Sequence, residues 1–382
     1  MVKKAWVVSV EMGFGHMRAA RPLRDIAEGG KIIAADNYGG IPEHDRRIWV
    51  NSRKFYNFVS RLVDKGFLGR LAFDVFDRFQ RIEDVGKIQT APTFQLKRGY
   101  ALIRKGWGKH LIEKLNEKPL PLVTTFFTIG HMAEHWDYKG EIYILTTDSD
   151  ISRVWAPLNP KKSRIHYLAS TGRAAEHLKN YGVSPKRIYL TGFPIPGELA
   201  VKAPLFKPRK PLAVTFAVGG AGAQVKLGRE IMKGLASLIK EKKVVLHVIL
   251  GTHRNLVSRF AGSMTRHTGI HIVCSQTKEE YFNSFNKIIA ETDVLWTKPS
   301  ELSFYAALGL PIVIAPPLGA QEEKNREWLL ALGAGIDQRN PAEAGKWLPE
   351  LLESGALARA AESGFLKIEK GAADNISKIV LK

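Results

Sequence analysis

Up to about residue 200, short apolar runs alternate with stretches in which apolar positions recur every three or four residues. The runs are "WVVSV", "KIIAAD", "LPLVTTFF", "EIYILTTD", "RIHYLAS" and "RIYLTG". Apolar runs of this length, bounded by glycine, proline and polar residues, predict buried strands, and the stretches between them predict helices. One interruption stands out. Residues 44–115 keep helical spacing but are rich in aromatics and arginine, as in "RRIWVNSRKFYNFVSRLVDKGFLGRLAFDVFDRF", which predicts a helical insertion. The chain then passes through "GFPIPGELAVKAPLFKPRKP", proline-rich, basic and without either period, which predicts a linker at 201–211.

Beyond it a second alternating series begins: "LAVTFAV", "VVLHVIL", "HIVCS", "VLWT" and "PIVIAPP", each followed by a helical pattern, with only helices from Pro341 onward. Strands alternating with helices form parallel sheets through right-handed crossovers. The predicted fold is therefore α/β, with two Rossmann-like, doubly wound domains facing a central cleft. The expected boundaries are 1–200, the linker 201–211, 212–345, and helices at 346–382 packing back across the cleft.

Length agrees, since 382 residues exceed one ordinary core. A single cysteine, Cys274, excludes a disulfide framework and fits a reducing compartment, and it reads as a small buried apolar group rather than a nucleophile. No charged-then-apolar leader opens the chain, and no apolar run approaches the roughly 18 residues of a spanning helix. The expected location is the cytoplasm, with peripheral attachment to the inner face of the membrane as a further expectation. Charge changes the picture more. A net +20, from 57 Lys and Arg against 37 Asp and Glu, points either to a polyanionic partner, whether nucleic acid, anionic lipid or a phosphorylated small molecule, or to no partner, the charge serving solubility alone. No zinc-finger, ribonucleoprotein or helix-turn-helix signature accompanies the charge, which disfavours nucleic acid.

Two glycine-bearing corners follow strands, one with Gly13, Gly15 and His16, the other with Gly219, Gly220 and Gly222. Such turns let a ligand approach the main chain, and the helix that follows presents unpaired N–H groups to phosphate. Neither corner ends in the Gly-Lys-Ser/Thr of a P-loop. The third small position of a dinucleotide fingerprint is Arg18, although Asp36 lies about where a ribose-binding acid would, so a nicotinamide enzyme is a minor alternative. A third corner spans Thr292–Asn325. Its strand ends at Trp296, Pro299 and Ser300 open a predicted helix with Glu301 in the first turn, and the strand "PIVIAPP" ends in a predicted loop carrying Gln321, Glu322, Glu323 and Asn325. Polar groups thus gather beyond the carboxyl ends of neighbouring strands, where open α/β sheets bind ligands. His131 and His135, with Glu134 between them, are spaced like a metal pair, but no further ligand set follows. They read as cleft-lining or surface residues, and no metal is expected.

Together these motifs resemble the GT-B glycosyltransferases, most of all the branch holding the monogalactosyldiacylglycerol synthases and the N-acetylglucosaminyltransferase of peptidoglycan synthesis. The resemblance rests on Gly13, Gly15 and His16, on Gly219, Gly220 and Gly222, on Thr297 to Pro299, on the Gly309 to Pro311 turn, and on Gln321, Glu322 and Asn325, in that order along nearly the whole chain. It implies a nucleoside diphosphate sugar, expected to be a UDP-sugar, on the second domain, and a lipid or glycan acceptor on the first. No cofactor is implied. The implied donor-binding residues are Gly219, Gly220, Gly222, Thr297, Lys298, Pro299, Ser300, Glu301, Gln321, Glu322 and Asn325. His16 is the first candidate for a catalytic role on the acceptor-side loop of Gly13 and Gly15, with Asp148 and Asp150 as second candidates for base or orienting group. Ser300 and Glu301 replace two glycines of the family pattern, and Phe304 stands near its ribose-binding glutamate, so Glu301 is expected to act from a shifted position. A nucleotide-sugar 2-epimerase of the same fold and a non-catalytic binding protein are the alternatives.

Overall fold

The computed structural model describes residues 3–62, 82–199, 206–218, 224–260 and 269–382. Gly219, Gly220 and Gly222 lie outside the described residues, as do Phe67, Phe73, Phe76 and Phe79 and the side chains of Phe55, Tyr56 and Phe58. The chain forms two compact units, Met1–Pro196 with Glu369–Lys382, and Gly197–Ile368.

The first unit holds a six-stranded parallel sheet in the order β2-β1-β3-β4-β5-β6. Its strands are β1 Ala5–Ser9, β2 Ala27–Ala34, β3 Leu122–Thr124, β4 Ile142–Leu145, β5 His166–Ala169 and β6 Ile188–Leu190. All four residues of β4, Ile-Tyr-Ile-Leu, are buried, as a strand covered by helices on both faces requires. The core beside it includes Val8, Leu111, Met132, Ile144 and Tyr167. Trp49, on helix Glu43–Leu62, meets Trp107 edge-on with centroids 4.8 Å apart, a geometry worth about 0.5–1.5 kcal/mol beyond area burial. The start of the predicted insertion is thus part of the unit's core.

The second unit holds another six-stranded parallel sheet, in the order β12-β11-β10-β7-β8-β9. Its strands are β7 Leu212–Ala217, β8 Val244–Ile249, β9 Ile270–Val273, β10 Val294–Thr297, β11 Ile312–Ile314 and β12 Gly335–Asp337. Every residue of β7 and β10 is buried, and Trp296, wholly enclosed, satisfies its indole N–H on Gln338 at 2.8 Å.

Strand order decides where each unit can bind a ligand. Crossovers run to one side of β1 and then return to the other, so the first sheet reverses between β1 and β3. The second reverses between β7 and β10. At such a reversal the two crossover helices diverge and leave a crevice at the carboxyl ends of the two strands.

The tail divides between the two units. Helices Ala344–Glu353 and Ala356–Lys367 lie within the second unit, and only the last stretch, with helix Ala372–Val380, belongs to the first. Helix Ala356–Lys367 comes so close to the turn Glu301–Leu308 that a Cβ on Gly364 would lie 2.5 Å from the Ala306 carbonyl oxygen.

Candidate functional site

At the reversal of the first sheet the chain leaves β1 through Gly13, whose φ of +75° suits glycine and strains other residues. Gly15 then opens the short helix Gly15–Ala20, with His16 at its second position. The imidazole reaches the end of the neighbouring strand: His16 Nδ1 lies 2.7 Å from the Thr125 carbonyl oxygen. A carbonyl can only accept, so Nδ1 carries the proton and the lone pair of the neutral ring lies on Nε2. Thr125 is fixed in turn, its amide donating to Val8 O at 3.2 Å and its hydroxyl to Ser9 Oγ at 3.0 Å. Phe126 meets the His16 ring edge-on at 5.0 Å. The arrangement orients a histidine with a defined tautomer, as a general base requires.

The other polar residues of this sheet end differ in character. Asp36 is buried, accepting the Glu11 amide at 2.8 Å and pairing with Arg53 at 2.5 Å, so its oxygens serve the fold. Arg18, where a dinucleotide site needs a small residue, is itself buried. Asp148 is half-buried beyond β4, with its carbonyl accepting Ser170 Oγ at 2.5 Å. Asp150, the other candidate for base or orienting group, is enclosed. It is 1% exposed, its Oδ1 accepting the Ile151 amide at 3.1 Å, with Arg173 Nη2 3.1 Å from Oδ2 and His177 Nε2, also 1% exposed, 2.7 Å from Oδ1. The contact with His177 is close but not aligned as a hydrogen bond. Enclosure with these partners suits the orienting role better than that of a base. The carboxylate anchors the loop that carries Asp148.

The histidine pair also divides. His131 is a core residue rather than a cleft-lining one, and burial, reinforced by nearby Arg153, pushes its pKa down to about 3. His135 is exposed against Trp136. Glu134 accepts from Ser163 Oγ at 2.7 Å and from the Arg164 amide at 2.8 Å. No group of three or more metal-ligating side chains occurs among the described residues.

At the reversal of the second sheet, Thr297 ends β10 and Lys298, Pro299 and Ser300 follow. The Ser300 amide turns back onto the Lys298 carbonyl at 2.9 Å. The next segment, Glu301–Leu308, is a 3₁₀ helix rather than an α-helix, and Leu302 through Leu308 are all buried, so it has no solvent face to give it helical amphipathicity. Glu301, half-buried, opens it. Phe304, where the family pattern suggested an acid, is core and packs on Trp328 with centroids 5.0 Å apart.

Gln321, Glu322 and Asn325 sit on the first turns of helix Ala320–Leu332, and not on a loop. Glu322 and Asn325, three apart, turn one face toward the Lys298–Pro299 segment. Lys298 donates to Glu322 Oε1, the Leu318 amide donates to Glu322 Oε2 at 2.8 Å, and wholly buried Asn325 donates to the Pro299 carbonyl at 3.2 Å. These two side chains therefore lock the loops after β10 and β11 together. Gln224 was not foreseen: left-handed at φ +75°, it caps helix Val225–Gly234 and donates to the Pro316 carbonyl at 3.3 Å. Thr125 and Phe126 were missed as well, because only the strand pairing places them beside His16.

Polar groups at the reversal of each of two Rossmann-like sheets invite comparison with known proteins. Residues 201–268 match a family model described as a domain of unknown function (DUF6938). The processive diacylglycerol beta-glucosyltransferase of Bacillus subtilis (strain 168) is 21% identical over 100% of this chain and 94% of its own length. The protein of the same name from Bacillus pumilus is 22% identical over 87% of this chain and 82% of its own. The chain resembles the GT-B glycosyltransferases. Solved structures agree on the fold: MurG of Acinetobacter baumannii has a TM-score of 0.52 at 13% identity over 99% of both chains. The calicheamicin glycosyltransferase CalG4 gives 0.53 at 13% identity over 99% of this chain and 98% of its own. A UDP co-structure of S. aureus MnaA gives 0.56 at 11% identity over 100% and 97%. Glycosyl transfer is supported by the relatives and the fold together.

Proposed function

We propose that the protein transfers a hexose from a UDP-sugar to a lipid hydroxyl of the diacylglycerol class. The observation that carries this reading is the end-to-end similarity to proteins named processive diacylglycerol beta-glucosyltransferase. In the proposed step His16 Nε2 accepts the acceptor hydroxyl proton as the oxygen bonds to the anomeric carbon, and the bond from that carbon to the diphosphate breaks, its electron pair leaving with the nucleotide. A single displacement of this kind inverts the anomeric centre. The diphosphate is already a weak base, so it needs charge stabilisation more than a proton. We assign that stabilisation to Lys298 and the backbone amides at the β7 and β10 ends, ribose binding to Glu301, and sugar contact to Gln321. Glu322 and Asn325 act through Lys298 and Pro299, and Asp150 acts as a positioning residue.

Incubation of the purified protein with labelled UDP-glucose and detergent-dispersed dioleoylglycerol, with products separated by chromatography, tests the reading. Labelled glycolipid is expected. Failure of all of UDP-glucose, UDP-galactose and UDP-N-acetylglucosamine to label the lipid overturns it. The 2-epimerase alternative has one observation in its favour, the fold likeness to solved structures named as UDP-N-acetylglucosamine 2-epimerases. It predicts conversion of UDP-N-acetylglucosamine without any acceptor.

A further inference from the structure

The polar contacts that orient His16 extend one layer behind the imidazole. The ladder between β1 and β3 pairs Trp6 with Leu122, Val7 with Val123 and Val8 with Thr124, and there it ends. One backbone bond follows, from the Thr125 amide to the Val8 carbonyl at 3.2 Å. The next ladder carbonyl, that of Thr125, accepts from His16 Nδ1 at 2.7 Å. In the same register the residue opposite Thr125 is Ser9.

At this last pair each strand carries a hydroxyl. Thr125 Oγ1 donates to Ser9 Oγ at 3.0 Å, and the two residues are 0% and 1% exposed. Enclosure keeps both side chains from any substrate, so they can act on the reaction only through the main chain that they join. The main chain around them is committed as well: the Ser9 carbonyl accepts the Ala35 amide at 2.8 Å, and Thr124 Oγ1 accepts the Phe126 amide at 3.2 Å. The turn pinned in this way sets the Phe126 ring edge-on to His16. A neutral histidine ring takes its tautomer from the hydrogen bond that one of its nitrogens makes. Left unrestrained, the side chain favours the proton on Nε2, which is the wrong nitrogen for a base that must present a bare Nε2.

We propose that Ser9 and Thr125 are positioning residues for the proton acceptor: their hydroxyl bridge holds the Thr125 carbonyl against His16 Nδ1 and so keeps Nε2 bare. The proposal rests on the reading of His16 as the base, but its first test needs no sugar transfer. With the bridge removed, the strand ends lose their side-chain link, the carbonyl's hold on Nδ1 weakens, and the proton redistributes to Nε2.

Ser9→Ala/Thr125→Val removes both partners together, so no buried hydroxyl is left unpaired and near-native melting is expected. The full chain is labelled with nitrogen-15 histidine, and the His16 signals are assigned as those lost in His16→Asn. Long-range proton–nitrogen spectra above pH 8 then distinguish protonated from bare ring nitrogens. The native protein should show His16 as the Nδ1–H tautomer, and the double variant a mixture in which the Nε2–H form dominates. Thr125→Ser, which keeps the hydroxyl, should rescue the native spectrum. In the transfer assay the double variant should lose about three- to tenfold in kcat, the net worth of one neutral hydrogen bond, with donor KM within about twofold of native. Ser9→Ala alone repeats both measurements if the double variant does not fold.

A native His16 spectrum in the double variant would overturn the proposal, whether or not its Tm falls, because the pair would then serve the sheet alone. So would an Nε2–H tautomer in the native protein, or a kcat within twofold of native once the tautomer is lost. If the native protein transfers no sugar, the transfer reading fails by itself and the spectra still decide the positioning role.

Discussion

His16→Asn separates the two jobs of the imidazole. The asparagine Nδ2 can occupy the place of His16 Nδ1 and donate to the Thr125 carbonyl, which accepts at 2.7 Å in the native protein, but nothing replaces Nε2. Stability should therefore hold to within about 1 kcal/mol, the worth of one neutral hydrogen bond. Loss of a general base costs about 10²–10⁴ in rate, or roughly 2.7–5.4 kcal/mol of barrier. The assay is steady-state transfer from UDP-glucose to dispersed diacylglycerol, with kcat and KM for the donor measured separately alongside a thermal melt. The expected result is a fall in kcat of that size, with donor KM little changed and Tm nearly native. A kcat within tenfold of wild type would refute the base assignment. An equal collapse of Tm would mean that His16 is structural.

Other parts of the molecule give three more expected outcomes. UDP at about a hundred times its Kd should stabilise the protein by about 2.7 kcal/mol in thermal unfolding, and Glu301→Ala should lose most of that shift; an undiminished shift would remove Glu301 from ribose binding. Burial keeps the His131 pKa near 3 in the folded state, below its ordinary value of about 6.5, so below pH 6.5 the unfolded chain binds the extra proton and stability falls. Urea unfolding at pH 7 and 5 should show about 2 kcal/mol of such loss, absent in His131→Gln, and the same slope in both proteins would count against it. Gly364→Ala would press a methyl group into the Ala306 backbone, 2.5 Å from the carbonyl oxygen and 2.9 Å from its carbon, and should cost about 1–3 kcal/mol, read as a lowered Tm; a native Tm would show that the helix yields without penalty.

Both sheets were legible because parallel strands buried on two faces leave continuous runs such as "IYIL" and "LAVTFA", whose lengths set them apart from helices. The position of His16 after β1 was legible for the same reason. Its tautomer was not, since Thr125 is distant in sequence and only the β1–β3 pairing brings its carbonyl into reach. Asp150 looked like a cleft acid because a strand-end aspartate does not reveal that His177 and Arg173, on the next helix, will enclose it. The Glu322 and Asn325 positions read as loop because helix Ala320–Leu332 opens on polar residues with no side-chain cap to mark its start. Periodicity likewise gave the tail its helices but not the unit that each one covers. A helical stripe does not name the surface it meets.

The chain leaves the first unit at Pro196 and re-enters it at Glu369. Its returning helix Ala372–Val380 seals the end of β6: Asn375 donates to the Thr191 carbonyl at 3.4 Å, and the space beside Gly192 is filled by Glu369 and Ala372. During synthesis the first sheet is therefore exposed before its last piece is made, for on the order of 10–40 seconds at ribosomal speeds of about 5–20 residues per second. The second unit is one unbroken stretch of chain and can be excised by genetic cuts at its two ends. The first can be obtained alone only by splicing Glu369–Lys382 back behind Pro196.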